Sequence, residues 1–342
     1  MAIHAYYHVT PSGAGAKDGT TWATAFGEPE FETFMEGTVV AGDVIFIKEG
    51  TYTLDSEFSS SARAGTLSAP IALIGVKSTC TNEGAAVAYS DWARLSANRP
   101  YFDCDTNAIT FGNYYVIRNI SFRVAKLSTN GVVTGGYCIA ENCKINSDGT
   151  NTYYAAEFGT QSMIINCEIT GTGSGITTGS ATKVLFCYFH DLYNGIDDGD
   201  RQGIFAGGAG SMIEFNILNN ILIGIKVSGN DHIFLNNTFY NCKKALFMGT
   251  AYRSCIVNNA VDSCTVSGIS STTQRDSNFF WKNHGDDARN VDMWVNEDTT
   301  TIFQDYEVST GDPLFTTPAI GVFSLTVGSP ALDAGLSISL GV

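Results

Sequence analysis

Long apolar runs are missing from this sequence, as are most signatures that assign a chain at a glance. No stretch approaches the ~20 apolar residues of a membrane-spanning helix, so no membrane insertion is expected. The opening "MAIHAYYHVTPSG" has no basic segment followed by an apolar run, and no secretory leader is expected. Positive charge is scarce: 19 Lys and Arg stand against 34 Asp and Glu, a net charge of −15. That balance excludes nucleic acid and anionic membrane as main partners, because phosphate binding needs clustered Lys and Arg. The nine cysteines are odd in number and form no C-x-x-C pair, which argues against a disulfide framework or a zinc site. A reducing compartment of synthesis is expected. The five histidines (His4, His8, His190, His232 and His284) show no metal spacing, and there is no Walker loop, G-x-S-x-G or zinc motif.

Glycine is plentiful, at 36 residues, while charged residues make up only 15% of the chain, a composition of many short strands and turns. One phrase recurs along it: "RNISF" (118–122), "ENCKI" (141–145), "INCEI" (165–169), "LFCYF" (185–189), "EFNIL" (214–218), "LNNTF" (235–239) and "VNNAV" (257–261). Its central residues are Asn119, Asn142, Asn166, Phe186, Phe215, Asn236 and Asn258, at spacings of 23, 24, 20, 29, 21 and 22. A second phrase follows each, as in "GITTG" (175–179), "GIFAG" (203–207) and "GIKVS" (224–228). A unit of about 22 residues holding short strands cannot bury its own apolar face, but stacked copies can. The expected result is a coil of β-rungs about 4.8 Å apart.

Strand alternation sorts the side chains. In the second phrase Val132, Ala156, Ile176, Ile204, Ile225, Leu246 and Ile269 face inward; Val133, Glu157, Thr177, Phe205, Lys226, Phe247 and Ser270 face outward. In the first phrase Ile120, Cys143, Cys167, Cys187, Asn216, Asn237 and Asn259 also face inward. A cysteine ladder thus passes into an asparagine ladder, in which stacked amides hydrogen-bond along the array. Stacked, parallel Cβ atoms ~4.8 Å apart are too distant for bridges, so the thiols have a structural role.

The repeat resembles the right-handed parallel β-helix superfamily, which includes pectate lyases, related polysaccharide lyases and many phage tailspikes. The ends agree: "YYHVTPSGAGAKDGTTWATAF" (6–26) with "AGDVIFIKEGTYTL" (41–54) resembles the opening of such proteins, and "DPLFTTPAIGVFSLTVGSPALDAG" (312–335) their closing segment. The implied fold is all-β, a right-handed parallel β-helix forming one structural domain. An N-terminal cap spans 1–40, rungs of about 22 residues span 41–271, and an irregular C-terminal cap spans 272–342. "GEPEFETFMEG" (27–37) places Phe31, Phe34 and Met35 at helical spacing and reads as the capping helix.

Two places carry candidate chemistry. The longest repeat gains "HDLYNGIDDGDRQ" (190–202), where His190, Asp191, Asp197, Asp198, Asp200 and Arg201 crowd together. Asp197, Asp198 and Asp200 read as oxygen ligands for calcium, or as a glycosidase carboxyl pair, or as a solvated turn. The outward strip of Glu157, Phe205, Lys226 and Phe247 reads as a seat for a sugar chain, or as a surface buried by a neighbouring subunit or loop. The resemblance adds a lyase casting, with Lys226 as base and calcium on the Asp loop, although no catalytic motif matches residue by residue. The expected function is a non-enzymatic virion surface protein of a bacteriophage (a capsid decoration, short fibre or spike). It would be a homotrimer made in host cytoplasm, contacting other virion proteins and binding cell-surface polysaccharide. The alternative is a lyase or hydrolase acting on an acidic polysaccharide.

Overall fold

The structure is a computed structural model that describes the chain except residues 1, 55–56, 105–106, 126–129, 149–152, 193–200, 250, 252, 265–266, 272–278, 282–283, 286–293, 297–308, 311–314, 318–321 and 326–342, with side chains described as far as Cys264. The chain divides into two compact units, Met1–Thr182 and Lys183–Val342. Each is a coil in which every full turn contributes one short strand to each of three parallel sheets.

In the first unit the first sheet holds Tyr6–Val9, Val44–Lys48, Ile71–Val76, Tyr115–Arg118, Ile139–Glu141 and Met163–Ile165. The second holds Thr51–Thr53, Tyr101–Asp103, Ser121–Val124, Lys144–Ser147 and Glu168–Gly171; the third holds Phe58–Ser60, Ile109–Phe111, Val132–Thr134, Tyr154–Phe158 and Ser174–Thr178. In the second unit the first sheet comprises Lys183–Leu185, Met212–Glu214, Ile233–Leu235, Cys255–Val257 and Phe279–Trp281. Its second sheet comprises Tyr188–His190, Ile217–Asn219, Thr238–Tyr240, Ala260–Asp262, His284–Gly285 and Ser309–Thr310, and its third Gln202–Ala206, Ile223–Val227, Lys244–Met248, Ser267–Ser271 and Trp294–Asn296. Parallel pairing therefore continues past Ser271, and the chain adds one antiparallel pair, Phe315–Thr317 with Val322–Leu325. The fold is a right-handed parallel β-helix, and among the described residues it is all-β but for short helical turns and one helix.

The recurring first phrase is not one strand but two, bent at its centre. Its central residue adopts a left-handed conformation every time, with φ between 51 and 57° at Asn119, Asn142, Asn166, Phe186, Phe215, Asn236 and Asn258. Asparagine tolerates that region because its amide hydrogen-bonds locally, which accounts for its recurrence there. The bend throws the next residue inward, so Cys143, Cys167, Cys187, Asn216, Asn237 and Asn259 are all buried.

In the second unit the buried amides are fully employed. Asn216 Nδ2 donates to Asn237 Oδ1 and Asn237 Nδ2 to Asn259 Oδ1, each at 3.0 Å. The same Nδ2 groups reach the carbonyls of Val184 (2.9 Å) and Ile213 (2.8 Å). In the first unit the Cys143 N–H donates to Cys167 Sγ at 3.5 Å, and all nine cysteines of the chain are free thiols. Burial pushes the Cys143 thiol well above its ordinary pKa, so it packs as a neutral small hydrophobe.

The inward columns of the third sheet (Val132, Ala156 and Ile176 in one unit; Ile204, Ile225 and Leu246 in the other) are at most 2% exposed. Each Ile or Leu so buried contributes about 1.5–3 kcal/mol relative to an exposed one. The open end of the first unit is covered by α1 (Glu28–Gly37), which has Pro at its start and two glutamates in its first turn. Phe31 of α1 packs at 6.1 Å from Phe58 and 6.0 Å from Phe102, and Met35 is fully buried.

Candidate functional site

The third sheet of the second unit presents an unusual outer face. Phe205, Lys226 and Phe247 lie in register on three successive strands, half-buried and pointing outward. Their neighbours Ile204, Ala206, Ile225, Val227, Leu246 and Met248 are buried beneath and fix the backbone. Lys226 Nζ stands 5.9 Å from the Phe205 ring centroid, and Lys244 Nζ 4.6 Å from that of Phe247. Two cations and two aromatic rings thus share one flat surface of a chain whose net charge is −15. Such a surface offers ring faces for the C–H face of a sugar and ammonium groups for a carboxylate.

The corner between the second and third sheets borders this face. Here Asp191 accepts from Asn220 Nδ2 at 2.9 Å and pairs with His190 Nδ1 at 2.9 Å, while Asn220 accepts from Asn241 at 3.4 Å. Burial raises the Asp191 carboxyl, but the bonds from Asn220 and His190 outweigh it and hold the pKa below the ordinary value. The His190 ring lies on Tyr188 at 4.3 Å. The third-sheet strand Gln202–Ala206 follows Arg201, a fully buried residue whose carbonyl accepts the Ile223 N–H at 3.1 Å. Asp197, Asp198 and Asp200 lie outside the described residues, and the calcium and carboxyl-pair readings with them. Among the described residues no group of three His, Cys, Asp or Glu side chains is placed to hold a metal ion.

The structure therefore brings Phe205, Lys226 and Phe247 together as the strand alternation expects. Glu157 faces outward in the first unit, between Val133 and Thr177, and accepts from Asn130 at 2.6 Å. The sequence reading missed a second set of inner positions: Cys138, Ser162 and Thr182 in the first unit, and Ser211, His232 and Ser254 in the second, are all buried. These residues follow left-handed turns between the third and first sheets, and they recur at the same spacings as the asparagine phrase from 142 to 258. That shared spacing was the available signal.

No protein-family model and no curated protein matches the sequence. Solved structures do. A pectate lyase, Pel9A, aligns with a TM-score of 0.63 at 16% identity over 100% of this chain and 94% of its own. A mannuronic acid specific family 6 polysaccharide lyase from human gut microbiota gives 0.65 at 14% identity, covering 94% of this chain and 71% of its own. A PL6 family polysaccharide lyase from Pseudopedobacter saltans gives 0.58 at 17% identity over 76% of this chain, which spans 62% of that lyase's length. At these identities the likeness carries the fold, and the chain shares with these proteins the pectate-lyase-like right-handed parallel β-helix.

Proposed function

We propose that this protein is a non-catalytic β-helix of a bacteriophage surface, assembled as a homotrimer with other virion proteins, which binds host polysaccharide along the third-sheet face of its second unit. The register of Phe205, Lys226 and Phe247, with Lys244 over Phe247, carries the reading. In-register strands repeat about every 4.8 Å, so rings and cations are spaced along the coil in steps comparable to one sugar unit. The paired lysines set acidic sugars ahead of neutral ones despite the overall negative charge. Nine free thiols suit a chain folded in a reducing host cytoplasm. The structural neighbours include proteins named as polysaccharide lyases, which supports carbohydrate as the ligand class.

One observation favours a second reading, an acidic-polysaccharide lyase. The chain leaving Asp197, Asp198 and Asp200 enters Gln202–Ala206, the strand paired with the one that carries Lys226. In that reading Lys226 would remove the proton α to a uronate carboxylate, and Asp197, Asp198 and Asp200 would hold a calcium ion whose charge offsets that carboxylate.

One experiment tests both. The full chain is incubated with acidic and neutral polysaccharides, with and without calcium, and both retention and chain ends are measured. Binding lost in Lys226→Ala and Phe205→Ala, with no new reducing or unsaturated ends, is the expected result. New ends that vanish in Lys226→Ala and Asp197→Ala overturn it in favour of the lyase, and binding unaffected by Lys226→Ala overturns both.

A further inference from the structure

The corner between the first and second sheets breaks its own rule at two successive repeats. Asparagine occupies the left-handed position at Asn119, Asn142, Asn166, Asn236 and Asn258, but phenylalanine takes it at Phe186 and Phe215, each with φ 56°. A bulky side chain is disfavoured there, and such outliers concentrate where function demands them. Elsewhere the column forms an outer amide ladder: Asn142 donates to Asn119 at 2.6 Å, Asn166 to Asn142 at 3.3 Å, and Asn258 to Asn236. The two phenylalanine rings stack on each other instead, at 5.1 Å and 13°, and Phe186 remains 56% exposed.

The surface beside them is aliphatic. Along the outer face of the first sheet, Leu185, Glu214, Leu235 and Val257 stand in register, with Lys183, Met212, Ile233 and Cys255 as the parallel row. Ile233 is 36% exposed. The first unit shows what such a face requires. There Val44, Phe46, Ala72 and Ile74 point outward from the same sheet, and the chain covers them itself with Trp22, Cys80, Val87 and Trp92.

We infer that Leu185, Phe186, Met212, Phe215, Ile233 and Leu235 form an interface that a second copy of this chain covers. Two features select a copy over other occupants. The face carries one acid and one base, Glu214 and Lys183, within a chain of net charge −15. Two such acidic chains repel each other except where their charge is locally balanced, whereas a basic partner would be met by an acidic face. The face is also an in-register ridge, so copies packed about a common axis present side chains at one common spacing and can interdigitate along it. A sugar chain would need polar partners all along the face, and beyond Glu214 and Lys183 its Leu, Met and Ile side chains supply none. The inference rests on the reading of the chain as an assembling protein and is independent of what the third sheet binds.

The test is the solution mass of the full chain over a wide concentration range, by light scattering, for wild type and for Phe186→Asn/Phe215→Asn. That double variant restores the residue the corner prefers, so its melting temperature is expected to equal or exceed that of wild type while the mass falls to a single chain. Ile233→Lys, at an ordinary extended position on the same face, is expected to raise the concentration for half-assembly at least ~10-fold, since a buried unpaired charge opposes association. A monomeric wild type overturns the inference, as does an oligomer that survives both substitutions. Polysaccharide retention, run on the same variants, fails or holds separately from the mass.

Discussion

At the scale of single residues the interior is held by groups that would be costly to strand. Asn237 accepts both the Asn216 N–H (3.1 Å) and its Nδ2 (3.0 Å), and donates to Asn259 and to the Ile213 carbonyl. Asn237→Ala leaves the buried Asn216 N–H and the Ile213 carbonyl without those partners, and chemical denaturation is expected to show a loss of about 2–3 kcal/mol. Cys167→Ala removes a weak sulfur acceptor from the Cys143 N–H and weak S–H donation to the Ala140 and Ile165 carbonyls, and is expected to cost about 1 kcal/mol. Equal losses at the two sites would refute the distinction between the amide and thiol ladders. Two histidines tie stability to pH. His8 donates from Nδ1 to the Gly19 carbonyl (3.2 Å) and accepts the Gly84 N–H at Nε2 (3.3 Å), which requires the neutral ring. His232 is fully buried with Nε2 on the Ser228 carbonyl and no partner at Nδ1. Burial lowers both pKa values. A base held neutral contributes its stability in full above its unfolded pKa of about 6.5 and loses it as pH falls toward the folded value, because the unfolded chain takes the proton first. Melting temperature is therefore expected to fall between about pH 7 and pH 5, and a flat profile across that window refutes the assignment.

At the scale of elements, α1 acts as a lid on an exposed sheet end. Phe31 is 1% exposed and lies between Phe58 and Phe102, so Phe31→Ala is expected to lower stability by about 3–5 kcal/mol. Aggregation is expected with it, because uncovered strands template further pairing, and light scattering during mild heating checks both effects against an exposed control on the same helix such as Thr33→Ala, whose hydroxyl bonds only within the helix. Much of this level was legible in the sequence. Phe31, Phe34 and Met35 at helical spacing gave the helix, and period-two alternation gave the inner columns (Val132, Ala156 and Ile176 in one unit; Ile204, Ile225 and Leu246 in the other) and the outer strip at Phe205, Lys226 and Phe247. What stayed hidden has physical reasons. Ser162, Thr182 and Ser211 read as turn residues because their burial rests on hydrogen bonds that composition does not reveal, such as Thr182 Oγ1 to the Gly159 carbonyl at 3.2 Å. The outer face of the first sheet went unread because alternation marks apolar residues as inward. There Phe46 and Ile74 are apolar on the outside, under a cover contributed by Trp22 and by residues from 80 to 92.

At the scale of the whole molecule, a coil of stacked rungs has stability that is close to a sum of unit and neighbour terms, so a rung is removable if the register is kept. Residues 215–235 make one such unit, since Phe215 and Asn236 occupy the same left-handed corner in successive turns. Their deletion joins Glu214 to Asn236, lets Asn237 take the Cys187 N–H that Asn216 now accepts at 2.9 Å, and sets Phe247 in register with Phe205. The shortened chain is expected to keep a β-sheet circular dichroism spectrum and a cooperative melt. It also loses Lys226 from between the rings and Phe215 from beside Phe186, so both acidic-polysaccharide retention and self-association are expected to fall while the fold persists. If instead the deletion abolishes folding, the rungs are not interchangeable units. If it folds and still binds acidic polysaccharide undiminished, the ligand does not lie along the third sheet, and the cation between the two aromatic rings has another purpose.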